Sequence, residues 1–247
     1  MEWIAYNQLA WTDEILAPPE SYEEEVGFYV HALKKCITSP NPTMLHLGCG
    51  AGGHDYYFKQ HFSVTGVDLS EGMLRIAKNR NPEITYIQGD MRTVELLSAF
   101  DAVVIPDSIA YMTTLEDLAA VLENAAAHLK PQGVLLVVAH TKEEFRNNNF
   151  VYTGENHDTH LTLFENNWIV SDSTYEAVMV YLIRRNGELS IQHEVHTLGL
   201  FSEDQWRVLL EKHSFEVDAS RLDHLYDSNL MEDGEYPLTV FMGKKSG

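Results

Sequence analysis

The chain has 247 residues, 45% of them apolar and 22% charged, with a formal net charge of −20. That length fits one sizeable domain with a well-buried core, the usual allowance being roughly 150 residues per domain with wide scatter. A surplus of acid with no basic run excludes nucleic acid and anionic membranes as partners, and no apolar run nears the ~20 residues of a membrane span. Cys36 and Cys49 form no metal spacing, so a reduced, cytoplasmic setting is expected.

Residues 1–20 carry Trp3, Tyr6 and Trp11, and Pro18-Pro19 stops any helix there. This aromatic segment reads equally as a flap over a ligand or as a packed tail. Ser21-Tyr22-Glu23-Glu24 has the pattern of a capping box and opens a helix with Val26, Tyr29, Val30, Leu33 and Ile37 at helical spacing. Pro40 and Pro42 end it. Met44 to Leu47 then reads as a buried strand that breaks into Gly48, Gly50, Gly52 and Gly53, with a helix-compatible stretch from Ala51 to His61. Glycines take positive φ and expose main-chain N–H groups, and a helix start adds unpaired donors. Such a turn suits an anionic or strongly polar ligand.

Phe62 to Val67 forms a second strand ending in Asp68, and Ser70 caps a helix to about Asn79 with Met73, Leu74 and Ala77 inward. Ile84 to Gln88 is a third strand, closed by Gly89-Asp90-Met91. Phe100 to Ile105 is a fourth, ended by Pro106-Asp107. Thr114 opens a helix to Leu129, and Lys130-Pro131-Gln132-Gly133 turns into a fifth strand, Val134 to Ala139. This alternation predicts a parallel sheet with helices on both faces. From 140 to 200 the pattern changes. Asn147-Asn148-Asn149 reads as loop, and three long alternating strands follow: His160 to Val170, Thr174 to Arg185 and Leu189 to Leu200. Asn186-Gly187 marks a hairpin between the last two. This antiparallel insertion is expected to cover the substrate side of the sheet as a lid, the competing reading being a dimer interface formed by its exposed strands. Ser202 to Gln205 opens a helix to about His213, and Phe215 to Asp218 pairs with Leu238 to Gly243, the last strand running antiparallel.

The glycine string fits two ligands. Gly48, Gly50 and Gly53 satisfy the dinucleotide pattern G-x-G-x-x-G, with Asp68 at the ~20-residue spacing of a ribose-binding acid. Gly48, Gly50 and Gly52 equally satisfy GxGxG. The string alone does not choose between them. Four stretches in series do: MLHLGCGAGG (44–53), VTGVDLSEGML (64–74), QGDM (88–91) and LKPQGVLLVVA (129–139). On these, over roughly residues 22–243, the chain resembles a class I S-adenosylmethionine (SAM)-dependent methyltransferase.

The resemblance implies one α/β domain over 1–247: a Rossmann-like, doubly wound sheet of seven strands, the last antiparallel, plus the β insertion. Residues 1–42 supply the N-terminal flap and helix, and 140–200 the insertion. It implies that SAM is held by His46, Gly48, Cys49, Gly50 and Gly52, by Asp68 on the ribose with Leu69 and Met73, by Asp90 and Met91 at the adenine, and by Asp107 near the methyl. DSIAYM (107–112) and the insertion are similar to those of sugar-amine N,N-dimethyltransferases, so a small-molecule amine is the expected acceptor. His46 departs from the family, which usually has an acid two residues before the first glycine.

An amine needs only to arrive neutral and aligned, so no indispensable general base is expected. Asp107, Tyr111 and His140, which follow strands four and five, are the catalytic candidates, and Tyr111 and Trp168 are candidate pocket walls. His157 with His160, and His193 with His196, lie three apart. On strands that spacing puts the members of each pair on opposite faces, so no metal is expected. Two rival readings stand beside this one: an NAD(P)-dependent oxidoreductase, which leaves QGDM without a role, and a SAM-binding protein without catalysis. Nothing in the sequence fixes an oligomeric state.

Overall fold

The computed structural model describes residues 3–246. Its strands in chain order are β1 (Thr43–Leu47), β2 (Ser63–Asp68), β3 (Thr85–Gln88), β4 (Phe100–Ile105), β5 (Leu129–Ala139), β6 (Asn148–Asn156), β7 (Thr159–Ile169), β8 (Thr174–Arg185), β9 (Glu188–Gly199), β10 (Phe215–Leu222) and β11 (Leu238–Lys245). Seven of them form one sheet in the order β10-β11-β5-β4-β1-β2-β3. Strand β11 is antiparallel to both β10 and β5, while the β1, β2, β3, β4 and β5 pairings are parallel. The reversed last strand stands where the sequence reading puts it.

The central strands β1 and β4 and the second half of β5 are buried without alternation because both faces of the sheet are covered there. The helices are α1 (Asp13–Leu16), α2 (Glu23–Cys36), α3 (Asp55–Phe58), α4 (Glu71–Arg80), α5 (Leu115–His128) and α6 (Glu203–Lys212). On one face Met44, Val64, Val104 and Leu136 meet Tyr29 and Leu33 of α2 and Leu74 and Ala77 of α4. On the other, Leu45, Leu47, Val103 and Val137 meet Leu118 and Val121 of α5 and Trp206 of α6. Each such buried aliphatic side chain contributes roughly 1.5–3 kcal/mol. The strand ends that carry the glycine turn, Asp68, Asp90 and Asp107 are thus held on a rigid support.

Three local expectations are corrected. Ser21 does not cap α2: it lies in a 3₁₀ turn, Pro19–Tyr22, and its hydroxyl donates to the Pro18 carbonyl at 2.6 Å. Pro19 therefore starts a helical turn, as a first-turn proline can, because its missing N–H is not needed there. The stretch from Ala51 to His61 yields only the four residues of α3, flanked by turns. The third correction is Asn148–Asn156, read as loop and then passed over, which forms β6. Asparagine disfavours strands locally. Here pairing with β7 decides, and hydrogen bonds donated by Asn167 Nδ2 to Asn148 Oδ1 (3.0 Å) and by Asn166 Nδ2 to Asn149 Oδ1 (2.9 Å) hold its start.

Strands β6, β7, β8 and β9 make a second, wholly antiparallel sheet in that order. Asn186 and Gly187 turn its last hairpin with φ of 50° and 86°, as a two-residue turn between right-twisted strands requires. Leu161, Leu163, Tyr181 and Ile183 on this sheet pack against Ala5 and Leu9, so the N-terminal segment is bedded on the second sheet.

Candidate active site

The glycine turn is tied to its neighbours by its own backbone. Gly48 N–H and Cys49 N–H both donate to the Val67 carbonyl, at 2.7 and 3.0 Å. Gly50 N–H donates to one Asp68 carboxylate oxygen and Ser70 N–H to the other, each at 2.8 Å. Asp68 therefore aligns the turn and the start of α4 while facing the cavity. Burial raises its carboxyl above the usual range, opposed by those two N–H donors. Gly48 has φ +71°, and a Cβ there would lie 2.0 Å from Ser108 Oγ. A Cβ on Gly50, which lines the cavity, would meet nothing within 4 Å. The turn is a cradle whose open side faces the cavity, and it fits a ligand that needs close approach to main chain.

A cavity of about 790 Å³ runs from this cradle to the second sheet. Gly48, Cys49, Gly50, Asp68, Leu69, Met73, Asp90, Met91, Asp107 and Tyr111 all line it, so the structure brings ten of the proposed site residues together. His46, Gly52, His140 and Trp168 do not. Trp168 stands 56% exposed on the far side of β7. His140 is enclosed by Phe145, Tyr175 and Tyr236, and burial pushes its imidazole down to about 4.

His46 works behind the turn. Its Nδ1 lies 2.7 Å from Asp55 Oδ1, and both side chains are fully buried. The other Asp55 oxygen accepts from Tyr86 Oη at 2.9 Å, and Asn81 Nδ2 donates both to that phenol (3.0 Å) and to the Gly52 carbonyl (2.9 Å). The unusual histidine and a carboxylate nine residues on thus brace the glycine turn from below. Because α3 has only four residues, the polar wall beside the turn comes from side chains. His54 Nε2 lies 3.4 Å from Glu25 Oε2, and Glu25 also accepts from Tyr29 at 2.5 Å and Tyr226 at 2.8 Å. Burial disfavours both charges, yet their mutual attraction prevails: His54 is raised and Glu25 lowered. Tyr22 packs against His54 with ring centres 4.6 Å apart and closes over Gly53. Spacing gives no hint of this group, because Glu25 reads as one of three surface glutamates opening a helix.

Asp90 is engaged by Arg92, whose Nε and Nη2 reach its carboxylate at 3.0 and 2.6 Å, while Nη1 reaches Asp117 at 2.6 Å. Asp107 has φ 67° and ψ −52°, and Ser108 N–H bonds to the Pro106 carbonyl at 2.7 Å across it. A non-glycine residue in so tight a turn is strained, and such strain gathers at functional sites. The turn presents the Asp107 carboxyl to the cavity, where burial and then the Glu25 charge raise it, opposed by His54.

Three distant segments meet at Tyr111. Its hydroxyl bonds to that of Tyr6 and lies 2.7 Å from His196 Nδ1 on β9. The opposite ring nitrogen of His196 is 2.9 Å from Glu194, which accepts the Ile4 and Ala5 N–H groups at 2.8 and 3.0 Å. Trp3 packs on both Tyr111 and His196. On the second sheet Tyr152, Glu165, Tyr175 and Met179 complete the wall. No motif announces these residues, which come from alternate positions of strands far apart in sequence.

A family model described as a methyltransferase domain matches residues 44–133. The dTDP-4-amino-2,3,4,6-tetradeoxy-D-glucose N,N-dimethyltransferase of Saccharopolyspora spinosa is 30% identical over 173 residues, which are 68% of this chain and 69% of that enzyme. The chain belongs to the SAM-dependent methyltransferases. A second relative, the dTDP-3-amino-3,4,6-trideoxy-alpha-D-glucopyranose N,N-dimethyltransferase of Streptomyces venezuelae, is 42% identical over 107 residues, 42% of this chain; the match spans less than half of that enzyme, 45%. The fold is also that of the SAM-bound amino pentose methyltransferase from Micromonospora echinaspora, with a TM-score of 0.74 at 19% identity over 91% of this chain and 92% of that one. For this methyltransferase the cofactor is SAM, and the nicotinamide reading of the glycine string falls away. No helix among the described residues is long and apolar enough to cross a membrane.

Proposed function

We propose that this methyltransferase moves the methyl group of SAM to the nitrogen of a small-molecule amine. The observation that carries this reading is one continuous cavity, with the glycine cradle and Asp68 at one end and an acid- and tyrosine-lined chamber at the other. When bound, SAM supplies a methyl group made electrophilic by its sulfonium. In this reading Asp68 takes the ribose, Leu69 and Met91 bracket the adenine with Asp90 held beside them by Arg92, and the Glu25–His54 pair and Asp107 receive the methionine end. The N-terminal segment acts as a flap and the second sheet as a lid. Together they exclude water and hold the acceptor in line, and alignment of this kind supplies ~7–11 kcal/mol in well-oriented systems. An amine that is neutral when it meets the methyl group needs no further base at the moment of transfer.

The names of the relatives point to amino sugars as the first acceptors to try. Free Cys36 and Cys49 fit a cytoplasmic setting. The test is calorimetry with SAM, S-adenosylhomocysteine and NAD, followed by transfer of labelled methyl from SAM to a panel of amines and matched alcohols. Micromolar SAM binding with label recovered on nitrogen is expected. SAM binding with no transfer to any amine, or transfer to oxygen alone, would overturn the proposal.

A further inference from the structure

One row across the inner face of the second sheet reads Phe150, Glu165, Met179 and Glu194, paired strand to strand. Two carboxylates on a face that packs inward are unusual, since buried acids are almost always paired. Glu194 is paired: His196 and the Ile4 and Ala5 N–H groups surround it. Glu165 is not. Among the described residues it accepts only from Asn167 Nδ2, at 2.8 Å, and it lines the cavity. Burial raises it, and Asp107 across the same cavity adds to the rise. Tyr152, Tyr175 and Tyr236 line the same cavity, where burial first and then charges that include Glu165 raise their hydroxyls. A carboxylate among tyrosine rings is the environment that holds an ammonium, by a charge-assisted hydrogen bond and by the negative ring faces.

Cations on the cavity wall, among the described residues, are already committed. Arg92 is held by Asp90 and Asp117, and His54 by Glu25. A phosphate entering the chamber would meet Asp107 and Glu165 with no free positive partner, a like-charge arrangement that selects against it.

We propose that Glu165 is the acceptor's anchor: it binds the protonated amine as it enters and takes that proton before transfer, so that the nitrogen reacts neutral, and the part of the acceptor that occupies the chamber carries no phosphate. This rests on the methyltransferase reading and narrows its acceptor to a cationic amine that need not be nucleotide-linked. The S-adenosylhomocysteine-loaded protein is titrated calorimetrically with free 3-amino-3,6-dideoxyglucose and with the dTDP conjugate of the same sugar. The free amine is expected to bind at least as tightly as the conjugate. Glu165→Gln, which keeps the shape and can still accept from Asn167, is expected to weaken the free amine about 10- to 100-fold while S-adenosylhomocysteine affinity stays within twofold. Tenfold tighter binding of the conjugate overturns the proposal, as does an unchanged amine affinity in Glu165→Gln. Binding of neither sugar to the loaded protein also overturns it, and leaves the methyltransferase reading intact. Failure of folded protein to bind SAM or S-adenosylhomocysteine would instead remove the reading beneath it.

Discussion

The two sheets build their halves of the cavity by different means. On the seven-stranded sheet the cradle is made of main chain: three glycines, two N–H groups held by Asp68, and strand ends fixed by cores on both faces. On the four-stranded sheet the wall is made of side chains at alternate positions, stitched to Tyr6 and Tyr111 through His196 and Glu194. A backbone cradle depends on contiguous residues and so tolerates little change within a short motif. A side-chain wall depends on register, and its residues can be exchanged one at a time to suit a different acceptor. In the proposed reading the methyl donor sits on the motif-built half and the acceptor faces the side-chain wall.

That division breaks most readily at Asp68. Asp68→Ala removes the acceptor of two N–H groups and the proposed ribose contact, and SAM affinity is expected to fall about 100-fold at roughly 1.5–3 kcal/mol per charged hydrogen bond. Calorimetry on a variant with unchanged circular dichroism measures it; unchanged affinity would mean that the cradle does not depend on its acid.

His140 tests the joint between the sheets, since it follows β5 and packs against Tyr175 of β8. The unfolded imidazole takes up its proton near pH 6.5, whereas the buried ring does so only near 4. The unfolded state therefore binds more protons between these values, so stability is full above about 6.5 and falls as the pH drops toward 4. His140→Phe, which cannot be protonated, is expected to lose up to about 3 kcal/mol less than the natural chain over that window, by urea unfolding. Parallel pH profiles would show that the joint takes up protons without cost.

Tyr111→Phe probes the side-chain wall. Removal of the hydroxyl shared with Tyr6 and His196 is expected to lower kcat/KM for the acceptor about tenfold, near the value of one hydrogen bond, with SAM affinity within twofold. Loss of SAM binding instead would place Tyr111 in the donor half. The smallest effect is expected at Gly187, at the distal hairpin with φ 86°. Gly187→Ala should cost about 1 kcal/mol of stability and leave methyl transfer unchanged. A fall in kcat there would show that the second sheet must move as a unit during turnover.

The sequence by itself determined the order of strands and helices from Met44 to Ala139, the reversed last strand and the residues of the cradle. These features are local: apolar runs, glycines at a strand end, and an acid at fixed spacing are written in consecutive residues. It also placed the Asn186-Gly187 hairpin, for the same reason. What it left open depended on residues far apart. Pairing with β7, which overrides the strand-averse asparagines of β6, was decided in space. So were the four-residue length of α3, the placement of His46 against Asp55 behind the turn, and the exclusion of His140 from the cavity. The meeting of Tyr6, Tyr111 and His196, like the open carboxylate of Glu165, exists only once the second sheet lies against the first. A period-two strand pattern tells which residues share a face. Only packing tells which face looks onto the cavity and which of its acids finds a partner there.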